Sequence, residues 1–561
     1  MSDPAPSFVS HQFQLAKSSC KRGFEVIRTR GPGKVTFWFI ALLIGIAAGF
    51  AALLFRKGIN WLQAALYGTD DVQHLHSFIS GLQWYWVVLI PTFGGLTVGL
   101  ILHHFTRDAR VRSVGDVILG AALHDGRVET RAGIASAIAS WITLSTGGSS
   151  GREGPVVHMA AVIATWVSRR INADGITGRD LLGCAVAAGV SASFNAPIAG
   201  ALFALEVVLR HFAVHAFAPI VIASVAGTVI NRLEFGGVTE FVLPTYGDLQ
   251  FYVELPAFLL LGLTCGLIAV ALMRSIFWAE DFGNYVQGRT GLPRWLRPAV
   301  AGALLGVLAM WYPHIIGVGY ETMSMALTGQ LDLYEAIIFT MLKVAAVAIT
   351  LGGRMGGGVF SPSLMIGALA GLAFGLIATG IFPDVSGSSS LYALAGMGAV
   401  AAAVLGAPIS TTLIVFELTG DWQTGLAVMV AVSMSTALSS RIVDRSFFLT
   451  QMERRGIHLA AGPQAYLLSM FTVARIMRRA DDARAADEDQ CWDLINAGTY
   501  IDGAATLEAA MPIFEHSSAR FIPVVTLSAD APPELLGALF HVDALKVYNR
   551  ALAATAAEEH S

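Results

Sequence analysis

Charged residues are scarce in this chain of 561 amino acids, where Lys, Arg, Asp and Glu together make up 14%. A soluble globular protein contains about 25%, so these charges are too few to solvate several globular domains. Hydrophobic residues supply 55% of the chain, and its mean hydropathy is +0.62. The composition therefore predicts an integral, multi-pass membrane protein whose apolar helices face a lipid bilayer.

Two further shortages exclude classes of partner and cofactor. The chain has four cysteines, and no two of them have Cys-x-x-Cys spacing, which excludes a zinc ribbon and a disulfide framework. The net charge is −4 and no long basic stripe occurs, so a nucleic-acid partner is excluded as well. No metal and no other cofactor is expected. The cysteines are Cys20, Cys184, Cys265 and Cys491.

Two rival classes of membrane protein fit the sequence less well. An intramembrane hydrolase would need a catalytic metal or acid pair at membrane depth, and the apolar segments contain neither an HExxH motif nor paired aspartates. The chain is therefore not expected to be an enzyme, and no catalytic residue is assigned. A receptor would need a large input domain outside the membrane, and the C-terminal tail is the only candidate.

Apolar segments alternate with short polar ones along most of the chain. Several are about 20 residues long, the length that a bilayer core requires of a helix. Residues 1–34 carry six basic side chains against two acidic ones, so the positive-inside rule predicts a cytoplasmic N-terminus. Both termini are expected in the cytoplasm. The apolar segments are 35–55, 82–103, 131–146, 155–169, 180–209, 212–230, 254–278, 295–312, 335–351, 360–382, 391–418 and 422–440.

Glycine and proline interrupt these segments in a pattern that occurs twice, about 210 residues apart. Gly147–Pro155 reads GGSSGREGP, and Gly352–Pro362 reads GGRMGGGVFSP. An Ala-Pro turn follows each loop, at Pro197 and at Pro408, and a glutamate stands nine residues after each of these prolines. Such a repeat indicates an all-α protein with two inverted halves of tilted and broken helices, and a substrate site at the midplane.

Each glycine-rich loop leads into a helix that its proline is suited to begin, because the first turn leaves amides unbonded anyway. The start of each helix presents free N–H groups and the positive end of the helix dipole. Two such ends facing each other would bind an anion through partial charges alone, which also allows rapid release. The plainer alternative is that the glycines only permit close helix packing.

Glu153 is the most informative single residue, because a carboxylate at membrane depth is costly unless it is paired, solvated or functional. Beside free amides it would compete with an anion, and protonation would end that competition. An ion pair with Arg152 is the structural alternative. Glu206 and Glu417 are expected to brace backbone N–H groups, and His158 is expected to be a packing residue.

These motifs resemble those of the CLC family of chloride channels and chloride/proton antiporters, over residues 35–456. The resemblance implies a homodimer with one pathway for chloride or a similar small anion in each subunit. It also implies that Glu153 is the gating glutamate and that the amides of Val359 and Phe360 bind the anion. The matching motifs are Gly151-Arg152-Glu153-Gly154-Pro155, Gly358-Val359-Phe360-Ser361-Pro362 and Phe416-Glu417-Leu418-Thr419-Gly420.

Three departures from the family pattern bear on mechanism. The serine of the first anion-binding loop falls at Arg112 or, with a shift of one residue, at Ser113. The inner-mouth tyrosine is replaced by Phe448, which can plug the anion pathway without offering a hydroxyl. The acidic residue that relays protons is replaced by Val207, so weak or absent proton coupling is expected. Antiport by another inner route is the alternative.

The composition changes after Arg441, where charges return. The tail is similar to a CBS domain and is expected to be a small α/β unit, with nucleotide binding left open. Its predicted elements are a helix at Thr506–Met511, strands at Phe521–Val525 and Leu536–Phe540, and a loop at Ala480–Gln490. The predicted regions are a cytoplasmic segment 1–34, a transport domain 35–456 with halves of about 35–230 and 254–441, and the cytoplasmic tail 457–561.

Overall fold

A computed structural model gives the chain a mostly helical fold with two compact units. One unit comprises Met1–Leu209 and Ala218–Gln451, and the other comprises Arg210–Phe217 and Met452–Ser561. The basic side chains of segment 1–34, apart from Lys34, lie outside the described residues. The structure describes residues 32–68, 75–210, 212, 214–236, 251–383, 386, 388–457, 466–469, 471–482, 484–503, 505–517, 519–528 and 531–559.

Helices account for nearly all of the regular structure before the tail. In chain order they are α1 (Lys34–Tyr67), α2 (Leu75–Ile79), α3 (Trp84–Phe105), α4 (Val114–Leu123), α5 (Thr130–Ser145), α6 (Glu153–Ile171), α7 (Gly175–Phe194), α8 (Pro197–Phe203), α9 (Val214–Phe235), α10 (Phe251–Thr290), α11 (Arg297–Ala309), α12 (Tyr320–Leu327), α13 (Leu333–Gly352), α14 (Phe360–Ile381), α15 (Ser389–Leu405), α16 (Pro408–Thr419), α17 (Trp422–Ile442) and α18 (Phe447–Glu453). A π-helical turn, Ala204–Leu209, continues α8, and 3₁₀ turns occur at Arg294–Leu296 and Pro313–Ile315.

Seven of the described helical stretches are long and apolar enough to cross a membrane, which confirms the prediction of a multi-pass membrane protein. Four shorter apolar helices lie between them in the chain, namely α4, α15, α16 and α8 with its π-helical extension. The predicted segments 180–209 and 391–418 are each two helices, because the chain breaks before Pro197 and Pro408.

Small residues let these helices approach one another to backbone contact. In the pair α14 and α15, a Cβ atom built on either Gly367 or Gly396 would strike the carbonyl oxygen of the other. In the same way, a Cβ atom on Gly99 of α3 would strike the carbonyl oxygen of Trp295. Close packing therefore explains many of the glycines outside the two repeated loops.

The helices that follow the repeated loops begin earlier than predicted. Helix α6 begins at Glu153 and α14 begins at Phe360, so Pro155 and Pro362 are third residues rather than first ones. Proline is still tolerated there, because an amide in the first turn has no acceptor within the helix. Helix α4 was not predicted at all, since its short apolar run follows a polar loop.

The Glu417 carboxylate braces the start of a helix in the other half of the first unit. It accepts hydrogen bonds from the backbone amides of Ile198 (2.9 Å) and Ala199 (2.7 Å), which lie in the first turn of α8. These amides have no acceptor within their own helix, so the carboxylate supplies it.

Glu206 makes the same contacts in the opposite direction. Its carboxylate accepts from the backbone amides of Ile409 (3.0 Å) and Ser410 (2.8 Å) in the first turn of α16. The Ser410 hydroxyl donates to it as well. The bracing role predicted for Glu206 and Glu417 is confirmed, and the exchange is reciprocal, as an approximate two-fold relation between the halves requires.

The tail contains a four-stranded sheet of β1 (Arg478–Arg479), β2 (Ile501–Asp502), β3 (Phe521–Ser528) and β4 (Ala531–Phe540), in the strand order β1-β4-β3-β2. Strand β3 pairs antiparallel with β4 and parallel with β2, and β1 pairs antiparallel with the far edge of β4. Side chains such as Leu507, Ile522 and Leu539 form its buried core. The elements are α19 (Tyr466–Ser469), α20 (Val473–Ile476), β1 (Arg478–Arg479), α21 (Glu488–Asn496), β2 (Ile501–Asp502), α22 (Leu507–Ser517), β3 (Phe521–Ser528), β4 (Ala531–Phe540) and α23 (His541–Glu559).

The two strands and the helix predicted in the tail are confirmed as β3, β4 and α22. The predicted loop at Ala480–Gln490 is wrong at its end, because α21 begins at Glu488. The Asp487 carboxylate accepts from the amide of Asp489 (3.3 Å) there, so acidic residues read as a loop signal cap a helix instead.

Removing either bracing carboxylate should lower the free energy of unfolding by about 1–3 kcal/mol, because two amides lose a charged acceptor. Glu206→Ala and Glu417→Ala should lower the thermal unfolding midpoint by similar amounts, as measured by scanning fluorimetry in detergent. Glu234→Ala is the control, since it removes only an exposed ion pair with Lys57, worth about 0–1 kcal/mol. Equal midpoints for the control and for Glu417→Ala would contradict the bracing role.

Candidate functional site

The two repeated glycine loops meet and pair through their backbones. The amide of Gly151 donates to the carbonyl of Gly358, and the amide of Gly358 donates to the carbonyl of Gly151, each over 2.7 Å. These two glycines occupy equivalent places in the repeat, each two residues before the first residue of α6 or α14. The pairing therefore brings the starts of two helices from opposite halves to one point.

Side-chain hydroxyls complete the backbone hydrogen bonds of the paired loops. The Thr143 hydroxyl at the end of α5 accepts from the amide of Gly356 (2.9 Å), and the Thr350 hydroxyl at the end of α13 accepts from the amide of Ser149 (3.2 Å). The Ser150 hydroxyl donates to the carbonyl of Gly356 (3.0 Å). Each half thus supplies a threonine to the loop of the other half.

Sequence reasoning missed these threonines, although the repeat contained the signal. Thr143 stands eight residues before Gly151, and Thr350 stands eight residues before Gly358. A hydroxyl at the same distance from the same glycine in both copies indicates a shared partner for loop amides.

Glu153 is buried where the two loops meet, with 2% of its surface exposed. Its Oε1 atom accepts from the Ser361 hydroxyl, which belongs to the first turn of α14 in the other half. Its Oε2 atom is buried and has no hydrogen-bond partner among the described residues. A carboxylate buried in such a place is costly unless it is paired, solvated or functional.

Arg152 and Gly154, the neighbours of Glu153 in sequence, contact different parts of the protein. The Arg152 guanidinium donates to the carbonyl of Ser193 (3.0 Å) and lies over the ring of Tyr320 at 5.5 Å. Gly154 packs against the backbone of Gly358, since a Cβ on Gly154 would lie 3.1 Å from that Cα. The glycine permits close approach of the loops, and the arginine turns toward α7 and α12.

The predicted anion ligands of the second loop lie at the start of α14. Val359 is the residue before the helix and Phe360 is its first residue, so their amides point out of the helix end without an acceptor within it. The ring of Phe360 packs against those of Phe194 (4.6 Å between centroids) and Phe203 (6.0 Å). Apolar rings therefore lie beside the amides at the start of α14.

Ser113 immediately precedes α4, which favours it over Arg112 as the serine of the first loop. Its amide donates to the Asp116 carboxylate (2.9 Å). The Arg112 guanidinium instead binds carboxylates, at 2.8 Å from Asp108 and 3.1 Å from Glu129. Arg112 is thereby neutralised within the protein and is unsuited to replace the serine.

Phe448 is buried in the same neighbourhood. A Cβ on Gly115 of α4 would lie 3.9 Å from the carbonyl oxygen of Phe448 and 3.1 Å from the Gln451 side chain. The rings of Phe448 and Phe447 stand edge to face, 5.7 Å apart. The structure thus brings the start of α4, which follows Ser113, close to α18, which contains Phe448.

His158 connects this second group of residues to Glu153. Its Nδ1 atom lies 3.4 Å from the carbonyl oxygen of Ser113, and the residue is buried. Because Glu153 and His158 lie on one helix, they are about 7.5 Å apart along its axis. His158 packs as predicted, but it packs against the candidate anion loop.

Val207 is buried in the π-helical turn, beside Glu206. Glu206 uses both carboxylate oxygens to accept from the start of α16. The acidic group nearest to Val207 in sequence is therefore engaged in bracing a helix.

This chain is similar in sequence to several known proteins. A family model described as voltage gated chloride channel matches residues 94–440. The chain is 32% identical over 396 residues to a ClcB-like protein of Ralstonia nicotianae, covering 70% of this chain and 91% of that protein. It is 31% identical to the chloride channel protein CLC-e of Arabidopsis thaliana, covering 71% of this chain and 59% of that protein.

Two solved structures have the same fold at low sequence identity. A slow cyanobacterial Cl⁻/H⁺ antiporter superposes with a TM-score of 0.66 and 20% identity, over 75% of this chain and 97% of the other. A eukaryotic CLC transporter superposes with a TM-score of 0.64 and 17% identity, over 90% of this chain and 97% of the other.

Gly151→Ala should destabilise the protein by about 1–3 kcal/mol, because the new methyl group has no room. Its Cβ would lie 2.6 Å from Oε2 of Glu153, so the same change in a Glu153→Ala background should cost clearly less. Thermal unfolding of the four proteins in this double-mutant cycle measures the difference. Gly380→Ala is the control, since nothing lies within 4 Å of its Cβ. An equal cost in both backgrounds would mean that the carboxylate does not occupy this position.

Proposed function

This chain belongs to the CLC family of anion transport proteins, and we propose that it moves chloride or a similar small anion through a pathway gated by Glu153. One observation carries the proposal. The starts of α6 and α14 meet at the Gly151–Gly358 pairing, with the Glu153 carboxylate beside them. An anion that replaced this carboxylate would meet helix ends already directed at negative charge.

Partial charges suit transport better than full ones. The amides of Val359 and Phe360 at the start of α14 are the proposed anion ligands, and no charged side chain is needed beside them. A site made of amide dipoles in a water-poor interior is strong enough to attract an anion and weak enough to release it.

The gate works by competition in this proposal. The ionised Glu153 carboxylate is itself an anion, and it accepts from Ser361 in the first turn of α14. Protonation makes the side chain neutral, so it no longer competes for the amides and an anion takes its place. The unpartnered Oε2 atom supports this, since it is available to receive the proton.

Ser113 and Phe448 are proposed to line the inner end of the pathway. Ser113 offers a hydroxyl at the start of α4, and the Phe448 ring closes the passage without binding the ion. Their shared neighbourhood around Gly115 supports this assignment.

Proton coupling is proposed to be weak or absent. A relay across the membrane is usually built from Asp, Glu or His, and the position expected for the inner relay is Val207. Glu206 is a poor substitute, because both of its oxygens accept hydrogen bonds from α16. Antiport through another inner route is the competing proposal, favoured by the Cl⁻/H⁺ antiporter that shares the fold.

Three features of assembly and topology remain proposals. The protein is proposed to be a homodimer, with both termini in the cytoplasm and a CBS-like tail. The small sheet of the tail supports the last of these. Nucleotide binding by the tail stays a prediction.

Glu153→Gln should retain anion flux and lose its dependence on external pH, because a neutral side chain imitates the protonated gate. A gate that opens on protonation of one carboxyl loses about tenfold in open fraction for each pH unit above its titration. Chloride efflux from reconstituted vesicles over a range of external pH measures this. Glu335→Gln, which changes an exposed carboxylate at the start of α13, should behave like the unmodified protein. A Gln variant that keeps the normal pH profile would remove Glu153 from the gate.

A chloride gradient alone should drive little or no uphill proton movement. Vesicles containing the protein, with the voltage clamped by potassium and valinomycin, allow chloride and pH to be followed together. Proton movement at a fixed ratio to chloride would establish antiport through another route, and the anion pathway proposed above would still stand.

A further inference from the structure

Four arginines from separate parts of the first unit lie together, and we call them the arginine cluster. One follows α3, one lies in the 3₁₀ turn before α11, one is the first residue of α11, and one lies in the loop after α13. In that order they are Arg110, Arg294, Arg297 and Arg354.

One amide oxygen holds two of these guanidiniums side by side. Oδ1 of Asn284 in α10 accepts from Nη1 of Arg297 (2.6 Å) and from Nη2 of Arg354 (3.2 Å). Nη2 of Arg297 also donates to the backbone carbonyls of Glu280 (2.8 Å) and Gly352 (2.6 Å). All of these acceptors are neutral. Two like charges therefore share a single oxygen atom, and these hydrogen bonds do not compensate their charge.

The carboxylates near the cluster carry less charge than the arginines. Oε1 of Glu280 lies 3.3 Å from Nη2 of Arg110, so these two groups form an ion pair. The strongest charge effects on Arg354 come from the other three arginines and from Glu280. Guanidinium groups stay protonated at all relevant pH values. Even when Asp281, the next residue of α10, is counted as well, positive charge remains in excess.

Two buried donor atoms of the cluster lack an acceptor. The Nε atoms of Arg297 and Arg354 are buried and have no hydrogen-bond partner among the described residues. Arg297 as a whole is 5% exposed. A buried N–H of a charged group is costly when it is left unsatisfied. An anion with several oxygen atoms would satisfy such donors and would reduce the repulsion between the two guanidiniums.

Arg354 also occupies a backbone position that suits glycine. It stands four residues before Gly358, and Gly147 stands four residues before Gly151 in the other copy of the loop. Both have left-handed backbones, with φ of +63° at Arg354 and +93° at Gly147. A side chain costs conformational energy in this region. The backbone gives no reason for an arginine here, so the reason lies in what its guanidinium contacts.

The distribution of basic residues favours the cytoplasmic face for the cluster. Segments 106–113 and 289–297 contain three arginines each. At the opposite ends of α3 and α11, segments 68–83 and 310–332 contain neither lysine nor arginine. Basic residues concentrate in the short cytoplasmic loops of membrane proteins, so the arginine-rich side is the cytoplasmic one.

Exposed aromatic side chains indicate the depth of the cluster in the bilayer. Trp278, Phe282 and Tyr285 of α10 are exposed, and the first two rings stack with their centroids 5.5 Å apart. Exposed aromatic residues at the end of an apolar span are typical of the headgroup region. Glu280 and Asn284 lie on the same turns of α10. The cluster therefore lies at the level of the phospholipid headgroups.

We propose that the arginine cluster binds the phosphate group of an anionic phospholipid in the cytoplasmic leaflet. Guanidiniums present paired N–H donors that match phosphate oxygens, and the phosphate supplies the negative charge that the cluster lacks. A lipid is favoured over free phosphate, because its acyl chains hold the headgroup at this depth. This binding does not rest on the proposed function of the chain.

Cryo-electron microscopy of the full chain in nanodiscs tests the site. With phosphatidylglycerol, headgroup density is expected between Arg297 and Arg354. Phosphatidylcholine, whose headgroup has no net charge, should leave the site without it. Arg354→Gly should abolish the density and still fold, since glycine suits the left-handed backbone and Arg297 keeps its own acceptors. Arg354→Lys retains the positive charge and should retain the density. Arg289→Gln, at an exposed arginine near the same end of α10, is the matched control and should also retain it.

Phosphatidylcholine nanodiscs with added inorganic phosphate distinguish the two sources of phosphate, and no density is expected there. Density in those nanodiscs but none with phosphatidylglycerol would overturn the assignment to a lipid. An empty site in phosphatidylglycerol, or density that persists in Arg354→Gly, would overturn the proposal altogether.

Native mass spectrometry of the same variants measures the affinity. The dissociation constant of the first bound phosphatidylglycerol should rise about tenfold in Arg354→Gly, as expected for the loss of one charge-assisted hydrogen bond. Arg289→Gln should leave it unchanged. An equal rise in both variants would mean that the lipid responds to the general positive charge of this face, which would contradict a site at Arg354.

Discussion

Two backbone hydrogen bonds of 2.7 Å, exchanged between Gly151 and Gly358, fix the arrangement on which the rest of the first unit depends. Each loop leaves helical geometry inside an apolar protein, where no bulk water can satisfy its amides and carbonyls. Pairing the loops with each other solves this problem for both at once. It also determines where α6 and α14 begin, and so where their unbonded amides lie.

The surrounding contacts also satisfy backbone amides of one half with side chains of the other half. Thr143 and Thr350 satisfy amides of the opposite loop, and Glu206 and Glu417 satisfy amides of the opposite half. Full charges such as those of the two carboxylates are used to hold helices. Around the meeting point itself, the backbone dipoles of the two helix starts lie beside the charges of Glu153 and Arg152. The division places strong, permanent interactions in the scaffold and weaker, exchangeable ones where an ion must pass.

The repeated elements could be predicted from the sequence, because two copies of a motif with matching spacing support the same interpretation. The loops, the broken segments and the bracing role of Glu206 and Glu417 were all anticipated from spacing. Most contacts between distant parts of the chain were not, since a contact such as that of His158 with Ser113 has no local signature. Helix α4 was missed because it is short.

The reciprocal bracing of α8 and α16 has a consequence for biosynthesis. When the ribosome has released the first half, the Ile198 and Ala199 amides still lack the carboxylate of Glu417, which lies 219 and 218 residues further along the chain. Until the second half is made, these amides of the inserted first half have no acceptor. The amide and carbonyl of Gly151 also lack their hydrogen-bond partners. The final structure of the first half is therefore acquired only after translation of the second half, which makes the early half a natural client for insertion chaperones and membrane quality control.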